Sequence, residues 1–326
     1  MKTPRQNERF LFRRLLTFKA FSYSIFDMDT RMQPYPALLN QVKWLAINRR
    51  GSMFYYDSGA AAKPPVILIH GLGDEADSWR HLIPLLNGAC RTLAPDLPGF
   101  GRSKAGGIIT INRHIKAIVS LLEMIGPAAL AGNSLGGMIA QAVAAEKPSL
   151  VTALILIDGG APLAATGGAL SLLIKALPFY GPYWYRQFRK NHDAAYHSLF
   201  GYYHNLEGLP EDDRAFLRKR VIERVESAEQ EKAYFATMRS MIWYNMTKTA
   251  FLTKALADYK GVVSLVWGEN DAILPPKTAE IIRSIRKDAS FTLIPNAGHL
   301  PQQEHPAAVA EAIAEAVART EEERAY

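Results

Sequence analysis

The chain has 326 residues, 48% of them hydrophobic and 21% charged, with a net charge of +7 at pH 7. That is enough apolar material for one large α/β domain with an insertion, while no run approaches the ~20 consecutive apolar residues that span a bilayer. The single cysteine, Cys90, forbids an intramolecular disulfide, and the absence of a long basic run or of any RNA-binding or zinc-finger pattern argues against a nucleic-acid partner.

Residues 1–40 read as an N-terminal extension. Within residues 8–26, Phe10, Leu11, Leu15, Phe18 and Phe21 alternate with Arg9, Arg13, Arg14 and Lys19. The pattern suits a basic amphipathic helix, expected either to make peripheral contact with an anionic membrane or to dock on the protein body or pair two copies. Charges break the apolar run and no cleavage signal follows, so a cytoplasmic location is expected rather than secretion, with membrane association as one of the alternatives for this helix.

Residues 65–69 form an apolar strand leading into His70-Gly71-Leu72-Gly73-Asp74. Cys90 precedes a second strand, residues 91–95, and reads as a small buried hydrophobe. Asp96-Leu97-Pro98-Gly99-Phe100-Gly101-Arg102-Ser103 follows, with Asp96 and Arg102 expected to brace the loop. Residues 127–131 are again apolar and run into Gly132-Asn133-Ser134-Leu135-Gly136, then into a helix of small residues. Strand, tight turn and helix put Ser134 at an apex beside a helix N-terminus, where N–H groups without partners face negative charge. The alternative is a turn whose serine only caps the helix.

The strand at residues 154–157 ends at Asp158, read as a structural aspartate holding its turn. The helical region after it is rich in aromatics, most of them expected to be buried among themselves, with some lining an apolar pocket. Its charged part, residues 207–231, is expected to be a solvent-facing helix. A new helix is expected to start near Lys248. Residues 262–267 form a buried strand ending in Gly268-Glu269-Asn270-Asp271, and residues 290–294 another, leading to Gly298-His299. The helix at residues 306–319 is expected to pack on the sheet. His81, His114, His192, His197, His204 and His305 lack metal-type spacing, so neither metal nor organic cofactor is expected.

Ser134, Asp271 and His299 thus each follow a strand. In an open parallel sheet such ends share one edge, where a nucleophile, an orienting acid and a base can meet. The HG loop, the D-x-P-G-x-G-x-S segment, the G-x-S-x-G turn, the W-G-x-x-D turn and the late G-H resemble the α/β-hydrolase-fold serine hydrolases over residues 45–318. The resemblance implies a mostly parallel central sheet flanked by helices, with a core of residues 41–158 and 246–326 and a helical cap at residues 159–245. It implies Ser134, Asp271 and His299 as the triad and the Leu72 and Leu135 N–H groups as the oxyanion hole. His70, Gly71, Gly73, Gly132 and Gly136 would be the supporting loop residues. The activity expected is cleavage of a small apolar or aromatic ester through an acyl-enzyme. C–C bond hydrolysis of the meta-cleavage type with the same triad stays open, as does a non-catalytic ligand-binding or receptor role. Against C–C cleavage stand Gly73-Asp74-Glu75 and Leu300-Pro301, where those relatives carry Gly-Pro-Gly and an aromatic. Dehalogenase and epoxide-hydrolase chemistry is disfavoured because Ser134 stands where those relatives have an aspartate. Oligomeric state is left open.

Overall fold

The computed structural model describes residues 32–59, 62–160 and 169–325. The expected membrane-contacting segment at residues 8–26 lies outside them. Eight strands form one sheet: β1 (Val42–Ala46), β2 (Ser52–Asp57), β3 (Pro65–Ile69), β4 (Arg91–Pro95), β5 (Ala128–Asn133), β6 (Val151–Ile157), β7 (Val262–Gly268) and β8 (Ser290–Ile294). Their order is β1-β2-β4-β3-β5-β6-β7-β8. β2 runs antiparallel to both of its neighbours, and every pair from β4 to β8 is parallel.

The parallel strands are near-continuous apolar runs because both sheet faces are covered. Along β3, Ile67 and Ile69 enter one core while Val66 and Leu68 enter the other, the period of two expected of a strand. The helices in chain order are α1 (Leu82–Leu86), α2 (Ile111–Ile125), α3 (Leu135–Glu146), α4 (Ala169–Ala176), α5 (Tyr180–Gln187), α6 (His192–His197), α7 (Glu211–Glu226), α8 (Ala228–Asp258), α9 (Ala279–Ile285), α10 (Pro301–Glu304) and α11 (Pro306–Ala325). α2, α3, α9 and the end of α8 cover one face, and α1 and α11 the other. α2 shows the local logic: Thr110 caps it by accepting from the Arg113 N–H at 3.2 Å, and Ile111, Ile115, Ile118 and Leu122 put one apolar stripe on the sheet.

Three expectations change. The helix expected near Lys248 begins at Ala228 and runs unbroken for 31 residues, joining the inserted region to the core; without Gly or Pro inside it, nothing interrupts the backbone ladder. α7 is not simply solvent-facing. Leu217, Val221 and Val225, four residues apart, are buried, and so is Arg220. The aromatics of the inserted region divide instead of being mostly core: Tyr196, Tyr203, Phe235 and Tyr244 are buried and Tyr185, Phe188 and Tyr234 pack half-buried against the apolar clusters, but Phe179, Tyr180, Tyr183, Trp184, Phe200, Tyr202 and Trp243 are exposed. α4 and α5 are too short to enclose large side chains on every side. No helix among the described residues is long and apolar enough to cross a membrane.

Candidate active site

Ser134 sits between β5 and α3 at φ 54°, ψ −115°. A non-glycine residue in that region costs about 1–3 kcal/mol and persists only where the surroundings hold it. They do: the Ser134 N–H donates to Ile157 O at 2.9 Å, and three glycines let the chain close around it. A Cβ at Gly136 would lie 2.1 Å from Ile69 O, one at Gly132 2.3 Å from the Gly136 carbonyl carbon, and one at Gly159 2.5 Å from Ser134 O. The Ser134 side chain makes no capping bond to α3. The capping alternative is therefore not what the turn is used for, and the hydroxyl stays available. Leu135, the first residue of α3, has an N–H with no acceptor inside the helix.

His299 and Asp271 follow β8 and β7. Both are buried, and His299 Nδ1 meets Asp271 Oδ2 at 2.7 Å. Asp271 Oδ1 accepts the N–H groups of Ile273 (2.7 Å) and Leu274 (2.9 Å). With the Asp271 carboxyl as the acceptor, Nδ1 is the ring nitrogen that donates in this contact. The His299 backbone is tied on both sides. Its N–H donates to Tyr202 O at 2.7 Å, and its carbonyl accepts from Asn133 Nδ2 at 3.0 Å. Asn133 is the residue before Ser134, so this bond joins the serine turn to the histidine loop. Glu304 joins the same loop to the inserted region, accepting from the N–H groups of Gly298 (2.7 Å), His204 (2.9 Å) and Asn205 (3.1 Å).

Asp158, at φ 44°, lies behind this pair. Its Oδ1 accepts from the Gly268 N–H at 2.8 Å, which holds the turn after β7. Complete burial, and next the charge of Asp271, hold its carboxyl well above the usual carboxylate range. Burial and the neighbouring carboxyl group therefore both favour the protonated form of Asp158. Asp158, Asp271 and His299 also form the one group of metal-ligating atoms among the described residues, within 4.8 Å of one another. Asp271 and His299 are committed to each other, and Asp271 Oδ1 and Asp158 Oδ1 to backbone N–H groups, while the buried Asp158 Oδ2 has no hydrogen-bond partner.

The loop after β3 completes the site. His70 donates from Nδ1 to Gly71 O (2.8 Å) and accepts at Nε2 from the Leu97 N–H (2.9 Å). Burial lowers its pKa, so it is a neutral anchor with both nitrogens used. A Cβ at Gly71 would be 3.4 Å from Ser134 Cβ, which puts the Gly71-Leu72 turn against the serine. Gly73, at φ +79°, lies under Tyr234 of α8, whose ring a Cβ would meet at 2.9 Å. Leu72 packs with Tyr234 and Met238, so its side chain lines the underside of the inserted helices.

Beyond Gly73 the loop joins a buried ionic network of which the sequence reading anticipated only the Asp96–Arg102 brace. Arg224 of α7 bonds Asp74 and, at 2.6 Å, Glu75. Arg220 bonds Asp77 at 2.7 Å, and Arg102 bonds both Asp77 and Asp96. The available signal was the spacing: Arg220 and Arg224 each directly precede a residue of the Val221/Val225 stripe, so the helix turns both arginines toward the core.

The profile of the alpha/beta hydrolase family matches residues 66–312. Lipase 1 of Psychrobacter immobilis is 28% identical over 279 residues, covering 81% of this chain and 80% of the relative. The 2-hydroxy-6-oxo-6-(2'-aminophenyl)hexa-2,4-dienoic acid hydrolase of Metapseudomonas resinovorans is 28% identical over 254 residues, covering 74% of this chain and 80% of that protein. The solved structure of a thermophilic esterase from Thermogutta terrifontis superposes with a TM-score of 0.69 at 23% identity, covering 86% of this chain and 99% of that one, a likeness of fold.

Proposed function

Because the chain belongs to the alpha/beta hydrolase family, we propose that it hydrolyses a carboxylic ester of an apolar or aromatic small molecule through an acyl-enzyme on Ser134. The observation that carries this reading is the Ser134 turn, strained at φ 54° and uncapped, on the sheet edge that also holds the His299–Asp271 pair. Ser134 Oγ attacks the ester carbonyl carbon as its proton passes to His299 Nε2. Asp271 orients the ring and stabilises the imidazolium. The N–H groups of Leu72 and Leu135 hold the oxyanion, each worth about 10²–10³ in rate. Collapse breaks the carbon–alkoxy bond, and His299 returns the proton to the departing alcohol. A water then gives its proton to His299 and attacks the acyl carbon, releasing the acid and restoring the Ser134 hydroxyl. Leu72, Tyr234 and Met238 over the oxyanion loop support an apolar or aromatic acyl group.

A second reading has the same residues cleave a carbon–carbon bond, and the similarity to a dienoic acid hydrolase favours keeping it. Hydrolysis of p-nitrophenyl esters of increasing acyl length, with Ser134→Ala as blank, separates the two. Ser134-dependent multiple turnovers support the esterase, and the length optimum sizes the pocket. Loss of a vinylogous diketone chromophore without ester turnover supports C–C cleavage. A protein that a fluorophosphonate does not label, and that turns over neither substrate, leaves a binding role.

A further inference from the structure

The exposed aromatics of the inserted region are not scattered. Phe179 is 89% exposed, and Leu177, Tyr180, Tyr183 and Trp184 each keep about half of their surface in water. The Trp184 ring lies 5.5 Å from Tyr183 and 6.3 Å from Tyr180, so the three rings form one patch. α4 packs on α8 through Ala176, Met238 and Ile242. Beside that contact the outer stripe of α8 exposes Arg239, Trp243 and Met246, spaced four and three residues apart on one helix face.

Charge singles out the same elements. Residues 159–192 contain no Asp or Glu but include Lys175, Arg186, Arg189 and Lys190, and residues 232–257 contain no acid either, with Lys232, Arg239, Lys248 and Lys254. Arg186 and Arg189 bond Glu231; Lys175 and Lys190 are exposed at either end of the aromatic patch. The acids of the inserted region are confined to α6, α7, the segment between them and the first turn of α8. We propose that the α4–α5 face of the inserted region docks on an anionic lipid surface, with Phe179, Tyr183 and Trp184 entering the headgroup layer and Lys175 and Lys190 meeting lipid phosphates. Tyrosine and tryptophan suit that layer because each joins an apolar ring to a polar tip. Lysine near an anionic surface adds an attraction that salt screens. A second copy of the chain fits worse, since a two-fold contact would set this acid-poor, basic face against itself. The chain's own residues 8–26 fit worse for the same reason, carrying Arg9, Arg13, Arg14 and Lys19 against a single acid, Glu8. The proposal concerns binding and stands apart from the reaction at Ser134.

The test is co-sedimentation of the full chain with phosphatidylcholine vesicles and with phosphatidylcholine–phosphatidylglycerol vesicles. Binding is expected only to the latter and to weaken as salt is raised. Phe179→Glu with Trp184→Glu is expected to lower affinity at least about tenfold, since a charge in the interfacial layer opposes burial. Lys175→Glu with Lys190→Glu, which leaves the apolar patch intact, is expected to reduce both the affinity and its salt dependence. Both variants should keep the thermal midpoint of the parent, because the altered side chains are exposed. Leu15→Asp with Phe18→Asp, in the full chain, is expected to retain binding. The proposal is overturned if the parent ignores anionic vesicles, if the α5 variant binds like the parent, or if the N-terminal variant alone abolishes binding. It is also overturned if sedimentation velocity shows a dimer that only the α5 substitutions dissociate.

Discussion

Arg224, on a helix of the inserted region, bonds Glu75 on the loop after β3 at 2.6 Å, with Arg224 also holding Asp74. Glu75 is three residues from Leu72, whose N–H is proposed to hold the oxyanion. The pair therefore fastens the inserted region to the loop after β3, with Glu75 buried and Arg224 mostly so. Removing one partner of a buried pair strands the other charge and costs about 3–5 kcal/mol, whereas replacing both with apolar groups costs far less. Arg224→Met is expected to lower stability by about that amount, and Glu75→Leu with Arg224→Met to recover much of it. A urea-denaturation double-mutant cycle measures the coupling. Equal, additive losses would show that the pair does not act as a unit.

Gly136→Ala is expected to abolish ester turnover or folding, because its Cβ would lie 2.1 Å from a backbone oxygen of β3 and would push Leu135 away from the site. Gly88→Ala is the matched control: a Cβ there meets nothing within 4 Å. That change should move stability by less than about 0.5 kcal/mol. Fluorophosphonate labelling rates of both variants, beside their thermal midpoints, distinguish lost geometry from lost fold.

Asp158 should tolerate an amide and not a methyl. Asp158→Asn keeps a polar group beside Asp271 and the acceptor for the Gly268 N–H, so turnover within a few-fold of the parent is expected. Asp158→Ala leaves Asp271 a stronger acceptor for the His299 imidazolium, and the acid limb of kcat/KM is expected to move to higher pH. The stability sign follows from the raised carboxyl of the folded protein. The folded state binds more protons than the unfolded one, so the parent loses stability relative to Asp158→Asn as pH rises above the usual carboxylate range, by at most about 1.4 kcal/mol per pH unit. Denaturation of both proteins across that range checks it.

His114 on α2 is fully buried, and its Nε2 lies 3.0 Å from the Thr237 hydroxyl on α8. Burial pushes its pKa down to about 3 from 6.5. Between those values the unfolded chain binds the proton and the folded one does not, so stability is present above about pH 6.5 and falls on acidification toward pH 3. His114→Gln is expected to flatten that acid limb. An unchanged slope in urea denaturation would place the acid sensitivity elsewhere.

The amino-acid sequence by itself determined β3 to β8 but not the antiparallel β1 and β2, and it determined the order of Ser134, Asp271 and His299 along the chain and the tight glycine turns. Each rests on local signals: apolar runs of strand length, glycines where a Cβ would clash, and short segments whose spacing dictates a turn. The role of His70 as an anchor was legible for the same reason, since it directly precedes Gly71. The tertiary structure decided what depends on partners far apart in the chain. Only there does Asn133 reach the His299 carbonyl, Asp158 come to share a dry pocket with Asp271, and Arg224 find Asp74 and Glu75. A charged helix looks solvent-exposed in one dimension because sequence does not show where its counter-charges lie. An aromatic-rich segment looks like core for a like reason: periodicity records which residues share a face, but not whether another element covers it.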